Sequence, residues 1–137
     1  MSTRFNGISA TSKNGVVYVQ DVSSGYIHTL SPDVYQDVGT NFTVLLQTAR
    51  SNFGSPLRKY ATELSVIGDT STGNLGVSVS DDDFATFGTV RNIDMASPIK
   101  RLTRMGAFYS RAHRFTYTAN APIRLQAYVA ETTTGTG

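Results

Sequence analysis

Two histidines, His28 and His113, are the side chains best suited to general acid–base or nucleophilic chemistry in this sequence. A serine hydrolase of the nucleophile-elbow type needs a Gly-x-Ser-x-Gly turn, and the chain has none. It also has no cysteine, which excludes thiolate nucleophiles, thiolate metal sites and disulfides. Each histidine lies inside a predicted strand. We therefore interpret both as structural and predict that the protein is not an enzyme.

Three consecutive carboxylates, Asp81, Asp82 and Asp83, raise the question of a calcium site, because hard cations prefer clustered carboxylate oxygens. An EF-hand loop places its ligands at alternate positions, with a central glycine and a closing glutamate. Here Phe84 and Ala85 follow directly. We expect the three carboxylates to point in different directions in a solvated turn. No phosphate-binding glycine loop is present either, and we expect no metal and no cofactor.

The basic residues are unevenly distributed. Residues 1–90 hold five basic and eight acidic side chains, whereas residues 91–124 hold seven basic and one acidic. Such a segment can meet a polyanion, an acidic protein surface or the acidic part of its own chain, and the sequence leaves these alternatives open. The candidate partner-binding residues of this segment are Arg91, Lys100, Arg101, Arg104, Arg111, Arg114 and Arg124.

Aromatic residues alternate with these cations between residues 108 and 117. Single-stranded nucleic acids are bound by such mixtures, because bases stack on aromatic rings while cations follow the phosphates. Strand alternation, however, places Arg111, His113, Phe115 and Tyr117 on one face. We expect these aromatic side chains to fill the core, and nucleic-acid contact is the lesser alternative, which a salt-sensitive binding assay would test.

The composition indicates which elements position these residues. The chain has 137 residues, enough for one domain with a real core, and only 16% of them are charged. Short runs rich in Val, Thr, Tyr and Phe recur about every ten residues between polar turns, and no window has sustained helical spacing. The sequence predicts an all-β protein, an antiparallel jelly-roll-like β-sandwich of about eight strands. Its expected parts are an N-terminal arm over 1–13, the sandwich over 14–131 and a C-terminal tail over 132–137.

Several local features are specific enough to test. Asn14-Gly15 predicts a tight turn before a hairpin whose strands cover 15–20 and 25–30. The four residues between these strands, 21–24 (DVSS), predict a polar turn. The run 42–48 predicts a largely buried strand, and 84–90 predicts another strand. Within 57–67 the apolar face switches partway, which predicts a bulge. At the end of the chain, alternation over 123–129 predicts that Ile123, Leu125, Ala127 and Val129 point inward.

No apolar run approaches the length that spans a bilayer, and the polar start lacks the apolar stretch of a signal peptide. We therefore expect a soluble chain made in the cytosol, with no membrane partner.

Several short segments stand in a fixed order over residues 14–130. They are 14–19 (NGVVYV), 24–35 (SGYIHTLSPDVY), 38–39 (VG), 77–84 (VSVSDDDF), 101–106 (RLTRMG), 111–115 (RAHRF) and 121–125 (APIRL). This pattern resembles bacteriophage tail and packaged-DNA stabilisation proteins, specifically their C-terminal portion. The tryptophans of that pattern are missing here, and Asp83 stands where the pattern has a glycine.

The resemblance implies a non-enzymatic structural protein of a tailed-phage virion, synthesised in the host cytoplasm. Its partners would be other virion proteins (capsid, portal or tail subunits) and further copies of itself. Two locations stay open, a tail or neck component and a capsid-cementing decoration protein. Arg4 and Phe5 are candidate contacts of the N-terminal arm. The alternative from another class is a carbohydrate-binding β-sandwich module, which would use exposed tyrosines.

Overall fold

The computed structural model describes residues 7–37 and 39–135, and these residues contain twelve strands and no helix. The expected all-β class is confirmed, with more strands than the eight or so predicted. The chain divides into two compact units, Met1–Thr40 and Asn41–Gly137. The strands are β1 Gly7–Lys13, β2 Val16–Asp21, β3 Ile27–Leu30, β4 Gln36–Asp37, β5 Thr40–Asn41, β6 Val44–Gln47, β7 Lys59–Gly68, β8 Asn74–Ser80, β9 Arg91–Asp94, β10 Arg101–Phe108, β11 Ala112–Tyr117 and β12 Leu125–Thr134.

The first unit contains a three-stranded antiparallel meander in the order β1-β2-β3. Its first turn is the predicted Asn14-Gly15 pair, with φ of 54° and 79°. Both residues are left-handed, as a type I′ hairpin turn requires. The turn pairs Lys13 with Val16 and folds the preceding residues back as β1. Residues 7–13, predicted to belong to an arm, are therefore a strand, because main-chain hydrogen bonds do not require apolar alternation.

The second turn of the meander is held by the Asp21 carboxylate. It accepts hydrogen bonds from the Ser23 hydroxyl and amide, both at 2.7 Å, and from the Ser24 hydroxyl at 2.8 Å. These bonds, the Ser23 hydroxyl first, hold the pKa of Asp21 well below its usual range. The predicted polar turn between β2 and β3 is thereby confirmed.

The second unit contains two antiparallel sheets with the orders β10-β7-β12 and β6-β11-β8-β9. One hydrophobic core receives side chains from both sheets, so each sheet buries one face on that core. Buried core residues come from β7, β8, β9, β10 and β11: Ala61, Leu64, Val66, Leu75, Val77, Ile93, Leu102, Met105, Phe108, Phe115 and Tyr117. The jelly-roll connectivity expected from the sequence stays a prediction. The predicted tail begins at 132, but β12 continues to Thr134.

The bulge predicted within 57–67 is confirmed in β7. Glu131 of β12 pairs with Glu63 and the next residue, Thr132, pairs with Ala61, so Thr62 is the extra residue. Lys59 and Ala61 are buried before the bulge, and Leu64 and Val66 are buried after it. The bulge is thus where the buried face changes from odd to even residue numbers.

A second bulge overturns part of the prediction for the last strand. Leu125 pairs with Gly68 and Ala127 with Ile67, so Gln126 is an extra residue in β12. After it the alternation shifts by one position. Tyr128 and Ala130 therefore pack against the core, whereas Ala127 and Val129 are exposed.

One other strand prediction is wrong about burial only, and another is wrong about the strand itself. The run 42–48 forms β6, but all four residues of β6 are exposed, because β6 lies at the edge of its sheet. Residues 84–90 form no strand. Positive φ at Asp83 (58°) and Phe84 (69°) turns the chain there, and Ser80 and Asp82 accept hydrogen bonds from the amides of Phe84 and Thr86.

Candidate interaction surfaces

Arg111, one of the predicted partner-binding cations, is buried. Its Nε and Nη2 donate to the two carboxylate oxygens of Asp81 at 2.7 and 2.9 Å, and its Nη1 donates to the Met105 carbonyl at 2.6 Å. The guanidinium also lies over the Phe108 ring, 4.2 Å from its centroid. With these contacts Arg111 connects its own loop and the loop of Asp81 to β10. Its guanidinium is therefore not available to bind a partner.

Arg91 and Lys100 bind main-chain oxygens. Arg91 Nη1 donates to the carbonyls of Thr103 (2.8 Å) and Arg104 (3.3 Å), at the irregular segment of β10 where the register shifts. Lys100 Nζ donates to the Ser97 carbonyl at 2.9 Å. Both cations therefore stabilise irregular backbone that would otherwise expose unpaired carbonyls.

The remaining cations of the segment are at the surface. Arg101 lies 3.3 Å from Glu63 and Arg124 lies 3.7 Å from Asp69. Arg114 donates to the Gln47 side-chain oxygen and lies 3.5 Å from the centroid of the Phe87 ring. Arg104 is exposed in a left-handed conformation, with φ of 57°.

Three of the seven cations thus pair with acidic residues of positions 1–90: Arg101, Arg111 and Arg124. Of the three alternatives for the basic segment, contact with the chain's own acidic part is the one these pairs support. The other two candidates, Arg4 and Phe5, lie outside the described residues.

The three consecutive aspartates do point in different directions. Asp81 binds Arg111, Asp83 lies 3.5 Å from Arg50, and Asp82 accepts hydrogen bonds from Ser80 and from the amide and hydroxyl of Thr86. The bonds from Thr86, its hydroxyl first, lower the pKa of Asp82 to about 2. Within residues 7–37 and 39–135, no group of three or more potential ligands is placed to hold a metal ion.

The two histidines lie in different surroundings. His28 is half-buried in the meander, and its Nε2 lies 3.3 Å from the Asp21 carboxylate. His113 is buried in β11 among the rings of Phe53, Phe115 and Tyr128, and its Nδ1 has no hydrogen-bond partner. Burial first, and then the charge of Arg111, lowers the pKa of His113 to about 4, an effect that Asp81 partly offsets.

This lowered pKa predicts an acid-sensitive second unit. In the unfolded chain a histidine has its ordinary pKa of about 6.5, so between pH 6.5 and 4 the unfolded state binds the proton that the folded state excludes. Stability therefore falls as pH decreases through this window. We expect a loss of about 2 kcal/mol between pH 7 and pH 5 from this group.

Urea denaturation of the full chain at the two pH values measures this loss. His113→Phe keeps an aromatic side chain in the cluster and removes the titration, so its stability should change less over the same interval. An equal loss in both proteins would show that His113 is not the cause.

A buried lysine is a feature that the sequence analysis missed. Lys59 at the start of β7 is almost fully buried, and its Nζ donates to the carbonyls of Ser55 and Leu57, both at 2.7 Å. Its ammonium also lies 5.5 Å from the centroid of the Phe108 ring. Nothing in the sequence shows which carbonyls Lys59 would bind.

An apolar groove opens between β6 and β12, the edge strands of the two sheets on the same side of the core. One part, of about 350 Å³, is lined by residues that include Leu46, Phe115, Leu125 and Tyr128. An adjoining part of about 250 Å³ shares Leu46, Phe115 and Leu125 and extends to Val44. We call this the β6 groove. The sequence analysis missed it because it interpreted the apolar run 42–48 as buried.

These observations define the protein's class: an all-β protein with a three-stranded meander and a second unit in which two antiparallel sheets share a core. No family model matches the chain, and no curated protein matches it significantly. Among the described residues there is no helix of the length and hydrophobicity needed to cross a membrane.

Proposed function

We propose that this protein is a non-enzymatic structural subunit that binds neighbouring subunits of a tailed-phage virion. The assembly role rests on the surface chemistry of the described residues, and the kind of assembly rests on the sequence resemblance over 14–130.

The observation that carries the assembly role is the meander of the first unit. In the described part of the first unit, Val19 is the only buried hydrophobic side chain. Seven large hydrophobic side chains are exposed there: Ile8, Val16, Val22, Tyr26, Ile27, Leu30 and Val34. Covering exposed apolar side chains removes them from water, which stabilises an association. A meander with this surface is suited to burial against another subunit.

The side chains with catalytic potential support the same proposal. His113 is enclosed by aromatic rings, and the Asp21 carboxylate beside His28 is occupied by serine donors. Asp81 forms an ion pair with Arg111.

In this proposal the second unit is a β-sandwich that serves as a rigid body. Both the tail or neck location and the capsid-cementing location remain open.

Immunogold labelling of particles tests the proposal. Virions purified from a culture that expresses this chain from its natural locus are labelled with an antibody against it and imaged by electron microscopy. Label at the tail, the neck or the shell is expected, and its position distinguishes the two locations. A chain present in the cell lysate but absent from purified particles would contradict the proposal.

Carbohydrate binding is the second candidate, favoured by exposed tyrosines. Tyr26 is 69% exposed and Tyr109 is 60% exposed, and such rings stack on sugars. A glycan array tests this candidate with the chain and its Tyr26→Ala and Tyr109→Ala variants. Binding that one of the substitutions abolishes would favour a carbohydrate-binding module over the structural subunit.

A further inference from the structure

The four edge strands of the second unit are not equally protected against pairing with another strand. Charged side chains and bulges are the devices by which proteins block edges. β9 carries Arg91 and Asp94, and β10 carries Arg101 and Arg104 and a register shift. β12 has two register shifts and Glu131. β6 reads Val-Leu-Leu-Gln and pairs with β11 without irregularity. Of the four edge strands of these two sheets, β6 alone has neither a charged side chain nor a bulge.

The pairing of β6 with β11 assigns its side chains to faces. Leu46 lies opposite Phe115 and Val44 opposite Tyr117, and both partners are buried in the core. Val44 and Leu46 therefore lie on the core side, where they line the β6 groove. Leu45 alternates to the outer side of the sheet, although part of it also borders the groove. All three remain half-exposed, at 49%, 51% and 58% respectively. On the outer edge of β6, the main-chain N–H and C=O groups are not hydrogen-bonded to any other strand of this sheet.

We propose that β6 pairs antiparallel with β6 of a second copy of this chain around a two-fold axis. A charged residue at the axis would face its own copy and repel it, and β6 has no charge. With Leu45 opposite Leu45, Val44 lies opposite Leu46 of the other copy on the core side. The two β6 grooves then adjoin each other across the axis, so their apolar walls are covered together.

Such an interface is closed and self-complementary. It uses the same strand of both copies, so two four-stranded sheets become one eight-stranded sheet and no β6 edge remains for a third copy. The net charge of +2 gives little repulsion between copies. The inference specifies one subunit contact of the proposed function and rests on it for its biological role.

Sedimentation equilibrium of the purified full chain tests the proposal, from roughly 1 to 100 µM. We expect the unmodified chain to dimerise. Leu45→Lys places like charges at the axis, and we expect it to weaken dimerisation at least tenfold. Ile99→Lys is the matched control, because Ile99 is similarly exposed, at 62%, and precedes the charged edge β10. It should dimerise like the unmodified chain.

A second measurement covers the case in which Leu45→Lys does not fold. The chain has no cysteine, so a single introduced thiol reports its own neighbourhood. Leu45→Cys should form an intermolecular disulfide under mild oxidation, because cross-linking needs Cα atoms within about 7 Å. Ile99→Cys is the control and should cross-link far more slowly.

The proposal is overturned if the unmodified chain stays monomeric throughout the range. It is also overturned if a folded Leu45→Lys variant dimerises as well as the control, or if both thiols cross-link at the same rate. These outcomes leave the virion proposal standing, because particle labelling tests that proposal without reference to β6.

Discussion

Asp81→Asn lowers the free energy of unfolding of the second unit by about 3 kcal/mol, the expected cost of leaving a buried charge without its partner. The Arg111 side chain is 3% exposed and the Asp81 side chain is 40% exposed, so water reaches the carboxylate but not most of the guanidinium. The expected cost therefore lies at the low end of the range for an unpaired buried charge. Asparagine retains the size of the aspartate and accepts one hydrogen bond, but it does not neutralise the guanidinium. Guanidinium chloride denaturation of the full chain, followed by circular dichroism, measures the change.

Asp83→Asn is the matched control for this prediction. Asp83 also pairs with an arginine, Arg50, but both side chains are well exposed, and exposed pairs contribute less than about 1 kcal/mol. Asparagine also tolerates the left-handed backbone at this position, with φ of 58°, so no strain is added. If both variants lost the same free energy of unfolding, the burial of Arg111 would not determine how much its ion pair contributes to stability.

Leu75→Ala should cost a similar amount, about 3 kcal/mol, for a different reason. Leu75 in β8 is 1% exposed and belongs to the core that the two sheets share. Its truncation loses buried apolar area and leaves a cavity that surrounding strands can fill only in part. The same denaturation experiment measures this loss.

Leu57→Ala is the control of the same residue type. Leu57 is 45% exposed and precedes β7, so its truncation should change stability by less than about 0.5 kcal/mol. A loss comparable to that of Leu75→Ala would contradict the assignment of the core to the space between the two sheets.

Local patterns in the sequence predicted local structure well. The Asn14-Gly15 turn, the polar turn beginning at Asp21 and the bulge in β7 were all predicted from a few neighbouring residues. Each depends on interactions within a short stretch of chain: a left-handed turn conformation, serine donors on a nearby carboxylate, or a change in the apolar alternation. The all-β class follows from the repetition of such stretches.

The burial of whole strands was predicted less well. An apolar run such as 42–48 shows that a strand has apolar faces, but its burial depends on which strands lie beside it. β6 has a neighbour on one side only, and the β6 groove exposes its core-side residues. In β12 the single extra residue at Gln126 reversed the faces after it, and no change in alternation marked its position.

The partners of the charged residues also depend on which strands lie beside each other. The uneven distribution of charge identified the basic segment, and its seven cations are visible in the sequence alone. Arg111 binds a carboxylate 30 residues away, and Arg114 binds an amide 67 residues away. Such pairs form only when strand pairing brings distant parts of the chain together.

Residue order therefore specifies the β-strand class, its turns and one of its bulges, because the forces involved act between neighbours along the chain. The ion pair of the buried Arg111 side chain, the enclosure of His113 and the open edge at β6 depend on the order of strands in the sheets. That order is a property of long-range pairing, and the alternation within any one strand carries no information about it.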